Sequence, residues 1–296
     1  MPSTIRFEHF AAIDWSGAAG ERHKGIAVAI CGTGSGPPVL VRPSHRWSRE
    51  DVLAWLIDDM PADTLVGLDL GISLPFADCG AFFPGWDESP DDVKALWAMV
   101  DSACRDDAHL AASSFVDHLK ASRYFRRHGG REGASFHAPG ALDRRGRLRV
   151  TERAQARMGC KPYSNFNLVG AAQVGKSSLT GMRVLHRLAG RLPVWPVDAL
   201  PDSGSAVVEI YTAIAAIEAG RSASQSKMRS HEELNAALDR LGSAPVAGAG
   251  PLDDNRADAL LTSAWLRGSA GRAELWHPAA LTSELACTEG WTFGAA

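Results

Sequence analysis

Short apolar runs alternate with longer amphipathic stretches along the chain, the pattern of an α/β protein. Residues 7–14 (FEHFAAID) and 25–31 (GIAVAIC) are apolar runs of strand length. After the Gly/Pro-rich turn GTGSGPP, residues 39–47 read as a third strand. Connections this short predict an antiparallel three-stranded meander. Ser48, with Asp51 at the capping-box position, opens a helix whose apolar side is Val52, Leu53, Trp55, Leu56 and Ile57, and Pro61 stops it. Residues 64–70 (TLVGLDL) form a fourth strand, which the intervening helix allows to run parallel to the first.

Beyond residue 71 the chain is turn-rich, and then helical spacing recurs over 91–104, 108–120, about 174–192, 231–241 and 254–266. Residues 206–212 (AVVEIYT) supply a fifth strand, and 129–148 carry no sustained apolar period and read as a loop. The expected organisation is a single domain over 1–296, a mixed five-stranded sheet with helices on both faces. A basic, partly helical insertion is expected over about 71–205, between the fourth and fifth core strands.

Acidic residues stand out against this apolar framework. Asp14 and Asp69 end the first and fourth strands, Glu209 lies inside the fifth, and Asp254 and Asp258 sit one turn apart on the last helix. If strands one, four and five are adjacent and parallel, about 4.8 Å apart, the strand acids gather near one end of the sheet. Several bare carboxylates in an apolar site repel one another, so protons or divalent cations must neutralise them. Oxygen ligands suit Mg²⁺ or Mn²⁺, and such ions activate water and stabilise a leaving oxygen in phosphodiester hydrolysis. Each acid also has an ordinary structural explanation: Asp14 and Asp69 as turn formers, Glu209 as partner of an arginine, Asp254 as a helix cap.

Charge modifies this picture. The 296-residue chain has 31 Lys+Arg against 34 Asp+Glu, but twelve of the basic groups lie between Lys120 and Lys161 against three acids, a local charge of +9. The remainder, nineteen basic against thirty-one acidic, carries −12. Such an asymmetry suits a polyanionic partner held on one surface, and a solvated helix face and loop is the plainer alternative. Arg126, Arg127, Arg131, Arg144 and Arg145 are the candidate nucleic-acid contacts in that stretch. Five widely spaced cysteines without a C-x-x-C pair fit a reduced compartment. The absence of a run of about 18 apolar residues or a signal-peptide pattern predicts a cytoplasmic protein with no membrane partner.

The succession of AIDWSG around Asp14, GLDLGISLP around Asp69, VVEIYTA around Glu209, DDNRADALLTSAW around Asp254 and Asp258, and the closing TEGWTFG resembles domain-of-unknown-function family 429. QVGKSSLTGMRVLHRL is similar to a segment of the same proteins. Members are described as predicted nucleases of the ribonuclease H-like fold. The resemblance implies that fold and a Mg²⁺- or Mn²⁺-dependent nuclease. Asp14, Asp69, Glu209 and Asp258 would be its catalytic metal ligands, with Asp254 as a further ligand.

One motif points elsewhere. Residues 170–177 (GAAQVGKS) fit G-x-x-x-x-G-K-[ST], in which backbone amides and Lys176 would cradle phosphates while Ser177 meets Mg²⁺. The preceding KPYSNFNLV is a poor strand, which a phosphate loop requires. A P-loop nucleotide hydrolase is therefore the second expectation, and Lys176 and Ser177 holding a substrate phosphate near the carboxylates is a milder form of it. The third is a nucleic-acid-binding protein without catalysis.

Overall fold

A computed structural model describes residues 7–137, 145–170, 173–222 and 227–296. The chain begins with β1 (His9–Asp14), β2 (Ala27–Gly32), β3 (Val39–Leu40), α1 (Arg49–Ala54) and β4 (Thr64–Leu68). Then come α2 (Val93–Ala103), α3 (Ser113–Asp117), β5 (Arg126–Arg127), β6 (Arg131–Glu132), α4 (Val150–Arg157), α5 (Val174–Leu188) and β7 (Val194–Trp195). The last third holds β8 (Ala206–Glu209), α6 (Thr212–Glu218), α7 (His231–Arg240), α8 (Asp254–Ser269), α9 (Ala273–Trp276) and α10 (Ser283–Thr288).

Six strands make one mixed sheet in the order β3-β2-β1-β4-β8-β7, while β5 and β6 pair separately. The β1–β2 and β2–β3 pairs are antiparallel, as the short connections require, and β1, β4, β8 and β7 run parallel. The strands carrying the candidate acids are thus neighbours, and the expected sheet is extended from five strands to six. The addition is β7, which comes from within the insertion and covers the free edge of β8.

Both faces of the sheet are buried, and strand periodicity assigns each residue to one of them. Ala11, Ile13, Val66, Leu68 and Val207 join the core that also takes Val52, Leu96, Leu179 and the insertion's Phe83 and Phe166. Phe10, Ala12, Leu65, Ala206 and Val208 face the opposite core with Ile214, Leu238, Leu261, Trp265 and Phe293. Residues i and i+2 share a face.

Local sequence explains the boundaries. Ser48 caps α1 with the full reciprocal box to Asp51, and the helix runs on into a π-turn over Trp55–Asp59 before Pro61. The expected third strand shortens to two residues because Arg42 takes a left-handed φ of 50° just before Pro43. Likewise the expected helix over 108–120 breaks at His109 (φ 57°) and Leu110 (φ 50°), leaving a 3₁₀ turn and α3. The fifth strand stops at Glu209, and Thr212 instead opens α6. No helix among the described residues is long and apolar enough to cross a membrane.

Candidate functional site

Asp14 is the last residue of β1, and Asp69 follows β4 directly, its amide donating to the Ile13 carbonyl (2.9 Å). Both fall on the strand face covered by α8. From that helix Asp258, buried like Asp14, comes within electrostatic reach of both. The Asp14 and Asp69 side chains are hydrogen-bonded to each other, and the Thr212 amide at the start of α6 also donates to Asp69. Two carboxyl groups in such contact share a proton or take a cation between them.

Burial, then the charges of Asp69 and Asp258, hold the Asp14 carboxyl well above the usual carboxylate range. Burial also pushes Asp69 up to about 6, against the pull of its hydrogen bonds and of Lys227. Asp258 rises to about 7, again through burial, with Lys227 opposing and Asp69 and Asp254 adding to the shift. Asp254 behaves differently: its carboxylate accepts from Lys227 Nζ (2.9 Å), which draws its pKa below the usual range. Lys227 Nζ lies 3.8 Å from Asp258 Oδ2. The cap of α8 is Asp253 rather than Asp254.

Glu209 faces the other way. It pairs in register with Leu68, one residue before Asp69, so the period of two turns its side chain to the opposite sheet face. There Arg149 donates to both of its oxygens (Nη1–Oε2 2.8 Å, Nη2–Oε1 2.5 Å). The Ile72 amide adds a bond to Oε2 (2.8 Å) and the Thr292 hydroxyl one to Oε1 (2.5 Å). Four donors fill the roughly four lone-pair sites of a carboxylate. The expected metal ligand is therefore engaged by an arginine, and its bond to Ile72 holds the loop that carries Asp69. Arg149 also binds Glu152 through Nε (2.7 Å) and the Glu289 carbonyl (2.9 Å). Glu289 in turn accepts from the amides of Phe76, Ala77 and Val150.

A cavity of about 410 Å³ opens on these groups, with Asp14, Asp69, Glu209, Lys227, Tyr163 and Ser177 among its lining residues. The turn after Asp14 forms one wall and is clamped from behind. Trp15 Nε1 donates to Thr180 Oγ1 on α5 (3.0 Å), and the buried Arg49 guanidinium donates to the carbonyls of Ser16 and Ala18 (3.1 and 2.5 Å). Gly17 is obligatory there, since a Cβ would lie 2.4 Å from the Lys176–Ser177 backbone.

The same close packing accounts for part of the phosphate-loop pattern. A Cβ on Gly175 would stand 2.4 Å from the Asn165 carbonyl, and the Gly175 and Lys176 amides already bond to the carbonyls of Asn167 and Gln173. Among the described residues no sheet strand leads into α5. Ser177 nevertheless lines the carboxylate cavity, while Lys176 is not among its lining residues.

Part of the basic stretch is committed to the protein itself. Arg147 is fully buried, pairs with Asp78 (2.6 Å) and donates to the carbonyls of Pro75, Ala81 and Phe82, and Arg149 is internal as described. Arg126 and Arg127 lie 3.5 and 3.7 Å from Glu132 and Asp117, Arg131 donates to the His128 carbonyl (3.2 Å), and Arg145 reaches the Pro162 carbonyl (3.5 Å). Arg144 lies outside the described residues.

Cation capacity is mixed. The donors are all carboxylate oxygens, which suits Mg²⁺ or Mn²⁺ in kind, and Asp14 and Asp69 already meet. Among the described residues no group of three or more His, Cys, Asp or Glu side chains stands arranged to hold an ion. Asp258 would have to close on the pair. No family model, curated protein or solved structure matches the chain.

Proposed function

We propose that the protein is a divalent-metal-dependent hydrolase of the ribonuclease H-like class, a nuclease in the manner of the family 429 proteins it resembles. The single observation that carries this reading is the hydrogen-bonded Asp14–Asp69 pair, with Asp258 in electrostatic reach, at the ends of adjacent parallel strands inside an open cavity. A closed fold gains nothing by gathering three carboxyls that it must keep partly protonated; a cation removes that cost.

Asp14 and Asp69 would hold the ion and Asp258 would complete the set, whereas Glu209 acts from behind as a positioning residue. A bound Mg²⁺ or Mn²⁺ supplies Lewis-acid polarisation of a phosphoryl oxygen and a more acidic water. The Thr212 amide orients Asp69, and the clamp of Trp15 and Arg49 keeps the turn after Asp14 in place. Lys227 puts an ammonium at the cavity, where it can meet a non-bridging phosphate oxygen.

Cleavage assays with Mn²⁺ on single-stranded, duplex, hybrid and branched substrates test the reading. Activity abolished by Asp14→Asn is expected, and equal activity in that variant contradicts it. A nucleotide hydrolase would instead lose triphosphate binding in Lys176→Ala and be indifferent to Asp69→Asn; the occupied amides at the start of α5 favour the carboxylate site over it.

A further inference from the structure

Arg147 and Arg149, the buried arginines of the insertion, are engaged within the protein, and positive charge near the carboxylate cavity also comes from outside the insertion. A second cavity, of about 290 Å³, provides it. It adjoins the first: Gly25 and Asn255 line the carboxylate cavity, while their neighbours Lys24, Ile26 and Arg256 line the second. The turn at Lys24–Gly25 leading into β2 and the first turn of α8 therefore form the partition between them.

The second cavity is cationic. Lys24, Arg42, Arg46 and Arg256 line it against Asp253, the only carboxylate among its described lining residues. Two of the four cations are held in place. Arg42 sits over the Trp47 ring (5.3 Å to its centre) and pairs with Asp59 (2.7 Å), and Arg256 Nη2 donates to the Pro43 carbonyl (2.9 Å). Lys24 and Arg46 are exposed, and neither makes an ion pair among the described residues. Fixed and uncommitted cations at one concave surface suit phosphates that are spaced along a flexible strand.

We propose that this cavity is a backbone-binding subsite, holding phosphates of a nucleic-acid strand whose neighbouring phosphodiester lies at Asp14 and Asp69. The inference rests on the nuclease reading above.

The test is fluorescence anisotropy with a short labelled single-stranded oligonucleotide in EDTA, between about 50 and 200 mM salt, alongside Mn²⁺-dependent cleavage. Lys24→Ser combined with Arg46→Ser, both surface positions, is expected to weaken binding about tenfold and to reduce the salt slope by roughly 1.4, two single-strand phosphate contacts at about 0.7 each. Arg126→Ser with Arg131→Ser is expected to leave both nearly unchanged. Wild-type affinity and slope in the Lys24/Arg46 variant, or loss of binding in the Arg126/Arg131 variant alone, overturns the subsite while leaving cleavage and the nuclease reading standing. A wild-type protein that neither binds nor cleaves removes both.

Discussion

Two acidic clusters share one cavity wall and solve the problem of buried charge in opposite ways. Around Arg149, the carboxylates of Glu152 and Glu209 meet a guanidinium, and those of Glu209 and Glu289 take up backbone amides. Around Asp14 the nearest groups are other carboxyls, and the closest cation, Lys227, is spent chiefly on Asp254. Buried charge that is paired and fully hydrogen-bonded serves architecture; buried charge left among its own kind costs stability unless a proton or cation neutralises it. Strand periodicity separates the two, since Asp14 and Asp69 share a face and Glu209 takes the other.

The largest way to break this contrast is through the paired cluster. Arg149→Ala strands Glu209 and Glu152 without a counter-ion and is expected to cost about 3–5 kcal/mol in urea denaturation. In the metal-free protein Asp69→Asn should do the reverse, raising or preserving stability because it removes a repulsive charge while keeping a hydrogen-bonding side chain. A loss comparable to that of Arg149→Ala would make the Asp14 cluster structural too.

pH reaches both clusters, because burial also pushes Glu152 up to about 7 against the pull of Arg149, and the Asp14 group adds further raised carboxyls. Asp69 and Asp258 have folded pKa values raised to about 6 and 7, above the unfolded value of about 4, so the folded protein binds more protons between those limits. Their stabilising contribution is present in full below pH 4 and is lost as pH rises through 6 to 7. Metal-free thermal unfolding should therefore show this contribution fall between about pH 4 and 7, and Asp258→Asn should flatten the decline. Adding Mn²⁺ at pH 8 should restore stability by mass action, with little gain at pH 5 where protons compete.

Lys227→Met should have the smallest effect. Its pair with Asp254 is half-exposed and worth up to about 1 kcal/mol, so stability should hardly move. Oligonucleotide affinity in EDTA should fall a few-fold if the ammonium meets phosphate, and should rise or stay constant if its role ends at the two aspartates.

Much of this was legible in the residues. The apolar runs, the capping box at Ser48 and Asp51 and the antiparallel β1–β2–β3 order follow from local pattern and connection length, whereas the pairing of β4 with β8, more than a hundred residues apart, had no such signal. The third strand was overextended because nothing in the run itself shows that Arg42 turns left-handed before Pro43. α4 and α6 escaped notice because they are short and stabilised by distant partners: Gln155 on α4 bonds Thr292. Parity along the fifth strand was available and distinguishes Glu209 from Asp69 once Leu68 and Glu209 are aligned, but that register is a tertiary fact. That the Arg149 guanidinium reaches Glu209, sixty residues away, had no local signal. Composition made the insertion look like a binding surface, and it could not show that two of its arginines, Arg147 and Arg149, turn inward.

Mn²⁺ binding followed by electron paramagnetic resonance at pH 8, with circular dichroism to confirm folding, tests the division between the clusters most directly. Wild type and Glu209→Gln should both bind the ion, while Asp69→Asn should lose it and remain folded. Binding that survives in Asp69→Asn, or that disappears in a folded Glu209→Gln protein, contradicts the assignment of Asp14 and Asp69 as the cation site and of Glu209 as its support.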